Sequence, residues 1–221
     1  MSTTATPETY ERVAPSECWR DPVLVMCKRG IDICFSGLLL LVLSPLFFAL
    51  GLAVWATSQG SVFYAWKVVG KNGRPFTGYK FRTMVANADQ MKATLQCRNE
   101  MSGPMFKMTD DPRVTPVGRW MRRYSLDELP QLYSVWKGDM SLVGPRPPLV
   151  TEYVQFSEYQ KQKLMVTPGI TCLWQTSGRN NICSFDEWVA LDLDYIRRWS
   201  LGLDFEILWR TLRVVVNGSG K

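Results

Sequence analysis

The feature that most constrains this chain is an uncharged, apolar run at residues 33–56 that Ser44 and Pro45 interrupt near its middle. As one continuous helix, the run would reach about 36 Å and cross a hydrocarbon core of about 30 Å, but each half reaches only about 18 Å. Pro45 has no N–H, and its ring clashes with the carbonyl four residues earlier, so a straight helix is penalised there. Ser44 can bond back to the carbonyl of Leu40 in the preceding turn. The run therefore predicts a helix–break–helix element that bends within a membrane.

Charged residues on both sides of the run indicate its orientation. Lys28 and Arg29 precede it, and the basic residues that follow are Lys67, Lys71, Arg74, Lys80 and Arg82. Basic residues near membrane segments favour the cytoplasmic side, so both ends are expected there. This predicts a re-entrant, monotopic anchor with both termini in the cytoplasm. The alternative is a tilted single span with a proline kink.

Composition narrows the chemistry. Of the 221 residues 46% are hydrophobic, enough for one sizeable core in addition to a membrane element. The net charge of +6 indicates an acidic partner, such as anionic lipid, nucleic acid or a phosphate-bearing substrate. The chain has no histidine, which excludes Ser-His-Asp and Cys-His nucleophile pairs and the HExxH zinc motif. Its 6 cysteines show no CxxC spacing and are typical of packing residues in a reducing compartment.

The pattern of apolar residues predicts an α/β chain that is mainly helical with a few short strands. Three parts are expected: a flexible N-terminus at 1–20, the anchor at 21–57, and a domain at 58–221 that carries the polar motifs. Predicted strands lie at 62–69, 76–81 and 170–175, the first two joined by an Asn-Gly turn. Predicted helices lie at 85–97, 117–136 with a break near 124–125, 149–165, 185–199 and 204–216.

Tryptophans beside arginines recur in the last two predicted helices, at Trp188, Trp199 and Trp209. Tryptophan favours the membrane interface and basic side chains favour anionic headgroups, so the set indicates a domain lying on the membrane surface. The alternative is that each ring fills an ordinary core.

The densest polar cluster lies at 122–132 and has two interpretations. The structural one is that Ser125 and Glu128 form a capping box, with Asp127 suited to the positive first turn of the next helix. The catalytic one is that the helix dipole and nearby Arg122 and Arg123 keep both carboxylates ionised. An ionised Asp can then be a covalent nucleophile, and Glu can hold a divalent cation or orient the attacking group. This segment alone leaves both interpretations open.

Several longer motifs follow one another along the chain. They are 28–32 (KRGID), the Ser44-Pro45 pair, 79–84 (YKFRTM), 125–132 (SLDELPQL), 138–147 (GDMSLVGPRP), 168–171 (PGIT) and 177–180 (SGRN). Together they resemble the bacterial sugar transferase family, the monotopic polyprenol-phosphate phosphoglycosyl transferases. The resemblance covers 25–216, nearly the whole chain.

The resemblance implies that sugar-1-phosphate passes from a UDP-sugar to undecaprenyl phosphate with release of UMP. It implies Asp127 as the nucleophile that forms a phosphosugar-aspartate intermediate, Glu128 as its partner, and Mg²⁺ as the cofactor bound by both. The substrate-binding residues that it implies are Arg122, Arg146, Pro147, Arg179 and Asn180, with Lys80 and Arg82 as weaker candidates. The pair Trp174-Gln175 resembles the sequence of family members that use glucose or galactose, which favours one of these sugars in the donor.

We therefore expect a monotopic enzyme on the cytoplasmic face of the bacterial plasma membrane, in contact with phospholipids. Proline on both sides of Arg146 restricts the backbone and so orients a planar phosphate donor. The oligomeric state stays open, and a homo-oligomer is compatible with the sequence. The alternative is a membrane-tethered phosphate- or lipid-binding module without catalysis. A nucleic-acid-binding domain ranks last, because acidic residues punctuate the C-terminal helices.

Overall fold

The computed structural model describes residues 12–176 and 184–218. Its helices are α1 (Pro22–Val42), α2 (Ser44–Thr57), α3 (Ala88–Met91), α4 (Pro116–Arg123), α5 (Gln131–Lys137), α6 (Val150–Tyr153), α7 (Glu158–Lys161), α8 (Leu173–Thr176), α9 (Phe185–Arg198) and α10 (Leu201–Val216). Its strands are β1 (Phe63–Val69), β2 (Pro75–Phe81), β3 (Ser141–Val143) and β4 (Gly169–Thr171), and 3₁₀ turns lie at Glu17–Arg20, Ala93–Arg98, Leu126–Glu128 and Gln162–Met165. The prediction of a mainly helical chain with a few short strands is confirmed.

The broken apolar run forms the bent helix pair α1 and α2. The two helices meet at Leu43 with a bend of 61°. The Ser44 hydroxyl donates to the carbonyl of Leu41 over 2.8 Å, and not to that of Leu40 as expected, because the chain bends at this point. Within the described ranges no single helix is both long and apolar enough to cross a membrane, and only the bent pair taken together satisfies length and composition. The predicted break at Ser44-Pro45 is confirmed.

Both outer ends of the bent pair pack against the same domain. α1 contacts α5 and β3, whereas α2 contacts β2 and α4. Leu50 and Val54 of α2 form a small apolar cluster with Phe81 of β2 and Met121 of α4. The apolar side chains around the bend are exposed, and Phe48 retains 76% of its accessible surface. The exposed tip thus projects from the domain while the two outer ends are held on it.

Lys28 and Arg29, predicted as membrane-flanking charges, make internal contacts. The buried Lys28 ammonium donates to the carboxylate of Asp204 over 2.6 Å and to the carbonyl of Val143 over 3.0 Å. Arg29 donates to the carbonyls of Val135 and Trp136 in the last turn of α5. A cation at the C-terminal end of a helix complements its dipole. Both side chains therefore fix α1 to the domain.

The hairpin β1–β2 is antiparallel, as the Asn-Gly pair predicted. Asn72 and Gly73 have φ values of 57° and 76°, the positive values that the two central residues of such a turn require. Trp66 lies directly opposite Gly78 in this register. Lys80 lies two residues beyond Gly78, on the same face of β2.

A second, parallel pair joins β3 to β4 and fixes the proline-rich bend that follows β3. The Gly144 N–H donates to the carbonyl of Thr171, and the Gly169 N–H donates to the carbonyl of Pro145. The backbones approach so closely that a Cβ added at Gly169 would lie 2.1 Å from the Gly144 nitrogen. Only glycine fits at this crossing.

The main core lies under α9 and α10 and contains two of the three tryptophans that were expected at the membrane surface. Trp188 and Trp199 are buried there, whereas Trp209 remains exposed. The interfacial interpretation was therefore wrong for the first two rings, which fill an ordinary core. Trp209 shares an exposed apolar face of α10 with Phe205 and Leu212.

Several predicted elements differ from the observed ones. The predicted helix 149–165 is divided into α6, α7 and a 3₁₀ turn, because Ser157 accepts a hydrogen bond from the Gln160 N–H and caps a new helix. The predicted helix 85–97 is divided into α3 and a 3₁₀ turn. The predicted strand 170–175 is shorter, because α8 begins at Leu173.

Candidate active site

The Asp127–Glu128 pair lies in a 3₁₀ turn that follows α4. Ser125 precedes this turn with a left-handed φ of 53°, and its side chain makes no capping hydrogen bond. The capping box predicted for Ser125 and Glu128 was wrong, since an N-cap residue requires an extended backbone. Backbone bonds close the turn instead: the Glu128 N–H donates to the Ser125 carbonyl. The capping box therefore does not account for these two carboxylates.

Glu128 directs its carboxylate toward the hairpin. Its Oε1 accepts a hydrogen bond from the Lys80 ammonium over 2.8 Å, and both side chains are largely buried. The same ammonium lies 4.4 Å from the centre of the Trp66 ring. Lys80, a weaker candidate from the sequence, is thus brought into direct contact with the acidic pair.

Arg122 lies beside the two carboxylates at the end of α4. Its Nε donates to the hydroxyl of Thr83 over 3.0 Å. Desolvation lowers the pKa of the Arg122 guanidinium, while the negative charges of Asp127, Asp111 and Glu128 act in the opposite direction. Asp127 is buried, with 8% of its surface exposed. The turn therefore pairs a shielded carboxylate with a cation held in place by Thr83.

A second ion pair supports the Arg122 side of the site. Asp111 accepts hydrogen bonds from the backbone and the guanidinium of Arg113, with 2.6 Å between Oδ2 and Nη2. Burial alone would raise the pKa of Asp111, but the hydrogen bonds and charge of Arg113 outweigh it and lower that pKa. Arg113 also donates to the carbonyl of Ala88 in α3. The two charges of this pair act on the pKa of Arg122 in opposite directions, Asp111 raising it and Arg113 lowering it.

Arg146 is held by a separate group of residues. Its guanidinium lies 5.1 Å from the centre of the Trp188 ring, and its backbone interacts with the buried carboxylate of Asp192. Asp192 also pairs with the Lys163 ammonium at 2.5 Å. Burial raises the pKa of Asp192, and the positive charges of Lys163 and Arg146 oppose that rise. Pro147, the neighbouring candidate, is buried in the bend after β3.

The remaining predicted site residues are placed elsewhere or lie outside the described ranges. The Arg82 guanidinium binds the segment after α2, donating to the Gln59 carbonyl and to the Ser61 hydroxyl. Arg179 and Asn180 fall at 177–183, outside the described residues.

Sequence reasoning missed the side chains that position the candidates. Thr83 lies within the motif 79–84 but was not singled out. Trp188 and Asp192 are four residues apart and so share one face of α9, a spacing that could have linked them to Arg146. Trp66 could have been found from its place directly opposite Gly78 in the hairpin.

The acidic pair can hold a cation only with help from a ligand. The part of the chain that the structure describes contains no group of three or more acidic, Cys or His side chains suited to a metal ion. Mg²⁺, however, is commonly bound by one or two carboxylates together with water and substrate phosphates. The two adjacent carboxylates of Asp127 and Glu128 fit that pattern.

The structure thus combines a bent apolar helix pair with an acidic turn that basic side chains flank. A family model described as bacterial sugar transferase matches residues 23–218. The galactosyl transferase CpsE of Streptococcus agalactiae is 53% identical over 161 residues, which are 73% of this chain and 36% of that protein. The undecaprenyl-phosphate galactose phosphotransferase of Salmonella typhimurium is 41% identical over 87% of this chain and 41% of its own length.

A shorter relative matches along most of its length. The exopolysaccharide production protein ExoY of Sinorhizobium fredii is 39% identical over 90% of this chain and 89% of its own. The chain thus spans less than half of CpsE and of the Salmonella protein, but most of ExoY. This chain belongs to the bacterial sugar transferase family.

Proposed function

We propose that this protein transfers sugar-1-phosphate from a UDP-sugar to undecaprenyl phosphate, giving undecaprenyl-diphosphate-sugar and UMP. The observation that carries the proposal is the shielded Asp127 carboxylate beside Arg122 and the Lys80–Glu128 pair. The family supports a sugar-phosphate transfer, and the Salmonella relative is named for an undecaprenyl-phosphate acceptor.

Two displacements at one phosphorus complete the reaction. A carboxylate oxygen of Asp127 attacks the β-phosphorus of the UDP-sugar, and the bond from that phosphorus to the bridging oxygen breaks, so UMP leaves. An oxygen of undecaprenyl phosphate then attacks the same phosphorus, the aspartyl P–O bond breaks, and the carboxylate is regenerated. Both attacking groups are anionic, so neither displacement needs a base, in agreement with a chain that lacks histidine.

The basic side chains neutralise the charge that builds up on the phosphates. Arg122 and Lys80 are the candidates beside the acidic turn, and Arg146 on its rigid bend is a candidate for the nucleotide-sugar. Pro147 restricts that bend. Arg179 and Asn180 stay proposed substrate ligands from the family resemblance. Arg82 is the weakest of the set, because its guanidinium is already bound by Gln59 and Ser61.

Asp127 and Glu128 are the residues that would hold Mg²⁺ together with the donor's diphosphate. When bound, the ion would neutralise part of the diphosphate charge.

We propose a re-entrant anchor at 21–57 and a catalytic domain at 58–221 on the cytoplasmic face of the plasma membrane. Both outer ends of the bent pair pack on one domain, and the exposed apolar tip lies between them, which supports an anchor that enters and leaves on one side. Both termini would then be cytoplasmic. Trp120, Trp136 and Trp209 are exposed rings suited to the headgroup region of phospholipids.

The proposal is tested by measuring UMP release from UDP-galactose, UDP-glucose and UDP-N-acetylgalactosamine with the detergent-solubilised protein, undecaprenyl phosphate and Mg²⁺. The names of CpsE and the Salmonella relative favour galactose as the donor. We expect UMP release that depends on the lipid and on one donor. Folded protein that binds the lipid but releases no UMP from any donor would instead support a tethered binding module.

A further inference from the structure

Trp66 and Gly78 form an unusual pair in the hairpin that supports the acidic turn. They lie directly opposite each other in the register, and the indole occupies the space next to the Gly78 Cα where a side chain would begin. A Cβ added at Gly78 would lie 2.4 Å from the indole Nε1 and 3.0 Å from its Cδ1. Any larger residue at this position would therefore displace the ring. The absence of a side chain at Gly78 creates the place that Trp66 fills.

The displaced ring would take Lys80 with it. Lys80 follows Gly78 by two residues on the same face of β2, a diagonal neighbour of Trp66 across the hairpin. Its ammonium lies 4.4 Å from the ring centre, within the distance at which a cation is attracted to an aromatic face. The same ammonium donates to Glu128 over 2.8 Å. Gly78, Trp66, Lys80 and Glu128 thus form one continuous stack.

The indole contributes its face rather than its N–H to this stack. The Trp66 Nε1 is buried and finds no hydrogen-bond partner among the residues that the structure describes. The π face is negative, so it attracts the ammonium. Because Lys80 has four rotatable bonds, the ring removes much of the freedom that would otherwise carry the ammonium away from Glu128.

We propose that Trp66 is a positioning residue that holds the Lys80 ammonium beside Glu128, and that Gly78 supplies the space for its ring. The stack itself is independent of the reaction. Its role in turnover rests on the proposed function, in which Lys80 neutralises charge on a phosphate at the acidic turn.

The stack can be tested without any turnover by lysine footprinting. The full-length protein in detergent is labelled with limiting acetic anhydride, and acetylation of Lys80 is measured by mass spectrometry relative to the exposed Lys71. In W66L we expect Lys80 to react about fivefold faster, the effect of losing a cation–π contact. W66F keeps an aromatic face and loses no hydrogen bond, so it should restore most of the protection.

Gly78→Ala provides an independent arm. In the presence of Trp66 it should raise the acetylation rate of Lys80, because the added methyl moves the ring. In the W66L background it should cause no further increase in that rate. Equal Lys80 reactivity in wild type and W66L, with both proteins folded by circular dichroism, would overturn the proposal. If W66L does not fold, equal reactivity in wild type and Gly78→Ala would overturn it.

Measuring the rate of UMP release distinguishes the proposed role of Trp66 from the proposed transferase function. Under the proposed function W66L should lower kcat for UMP release while W66F restores it. A wild-type protein without UMP release would refute the transferase and leave the footprinting result standing. A changed footprint with unchanged kcat would refute the role of the stack in catalysis.

Discussion

Replacing Asp204 with Asn removes the carboxylate that joins the anchor to the C-terminal helices. Its two oxygens accept hydrogen bonds from the Lys28 ammonium at 2.6 Å, the Tyr195 hydroxyl at 2.8 Å and the Trp199 indole at 3.1 Å. Burial and the charge of Asp204 raise the pKa of Tyr195 well above its ordinary value, so the hydroxyl remains a donor. One carboxylate thus gathers donors from α1, α9 and the segment before α10.

The structure sets the size of the effect. The side chains of Lys28 and Asp204 are only 8% and 10% exposed, so Asn would leave the buried ammonium without the carboxylate that it binds directly. The charge of the nearby, buried Asp32 would offset only part of this loss, because no hydrogen bond joins it to Lys28 among the residues that the structure describes. Removing one partner from a buried pair costs about 3–5 kcal/mol. K28M should cost less, about 2 kcal/mol, because the carboxylate keeps two neutral donors. The double variant should be more stable than the sum of the two losses predicts by about 1–2 kcal/mol.

The assay is urea unfolding of the detergent-solubilised protein, followed by tryptophan fluorescence. Asp194→Asn is the matched control, because Asp194 forms an exposed pair with Arg198 that should contribute about 0–1 kcal/mol. A loss below about 0.5 kcal/mol for D204N, or strictly additive losses in the double variant, would refute the reasoning.

R146K should raise the KM for the donor about tenfold, because Lys loses the guanidinium contact with the Trp188 ring and bidentate phosphate binding; an unchanged KM would contradict it. P45A should move part of the population to a spanning topology, measured as labelling of a cysteine at one terminus by an impermeant reagent in intact cells. Resistance of both termini to labelling in P45A would contradict our account of the bend. The lowered pKa of Asp111 means that its contribution to stability is present above its unfolded pKa of about 3.9 and is lost as the pH falls through the lower folded value. Asp111→Asn should therefore flatten the fall in melting temperature between about pH 5 and pH 2, and an unchanged slope would contradict the role of the Arg113 pair.

Two segments with the same capping pattern show where sequence reasoning succeeds and fails. Ser157 and Gln160 form the capping box that their spacing predicts, yet they were read as the interior of one long helix. Ser125 and Glu128 have the equivalent spacing but form no box, because Ser125 has a left-handed backbone and the Glu128 carboxylate binds Lys80 of β2. The Lys80 contact joins residues 48 positions apart, and no local pattern contains it.

Local chemistry was sufficient where the backbone itself imposes the structure. Pro45 fixes the bend, the Asn72-Gly73 pair fixes the hairpin, and apolar spacing predicts α9 and α10. The site was predictable as a set of charged residues, but not as an arrangement. The contacts that orient Lys80 and Arg146 come from aromatic rings distant in the sequence, which periodicity treats as ordinary core.

The measurement that tests the central claim most directly is mass spectrometry of the protein after incubation with a UDP-sugar and Mg²⁺ in the absence of lipid acceptor. The account predicts a hexose-phosphate adduct on the peptide that carries Asp127, its loss on addition of undecaprenyl phosphate, and no adduct in D127N. The account would be contradicted if the wild-type protein released UMP in a lipid-dependent reaction without forming an adduct, or formed the adduct on another residue. It would also be contradicted if D127N released UMP at the wild-type rate.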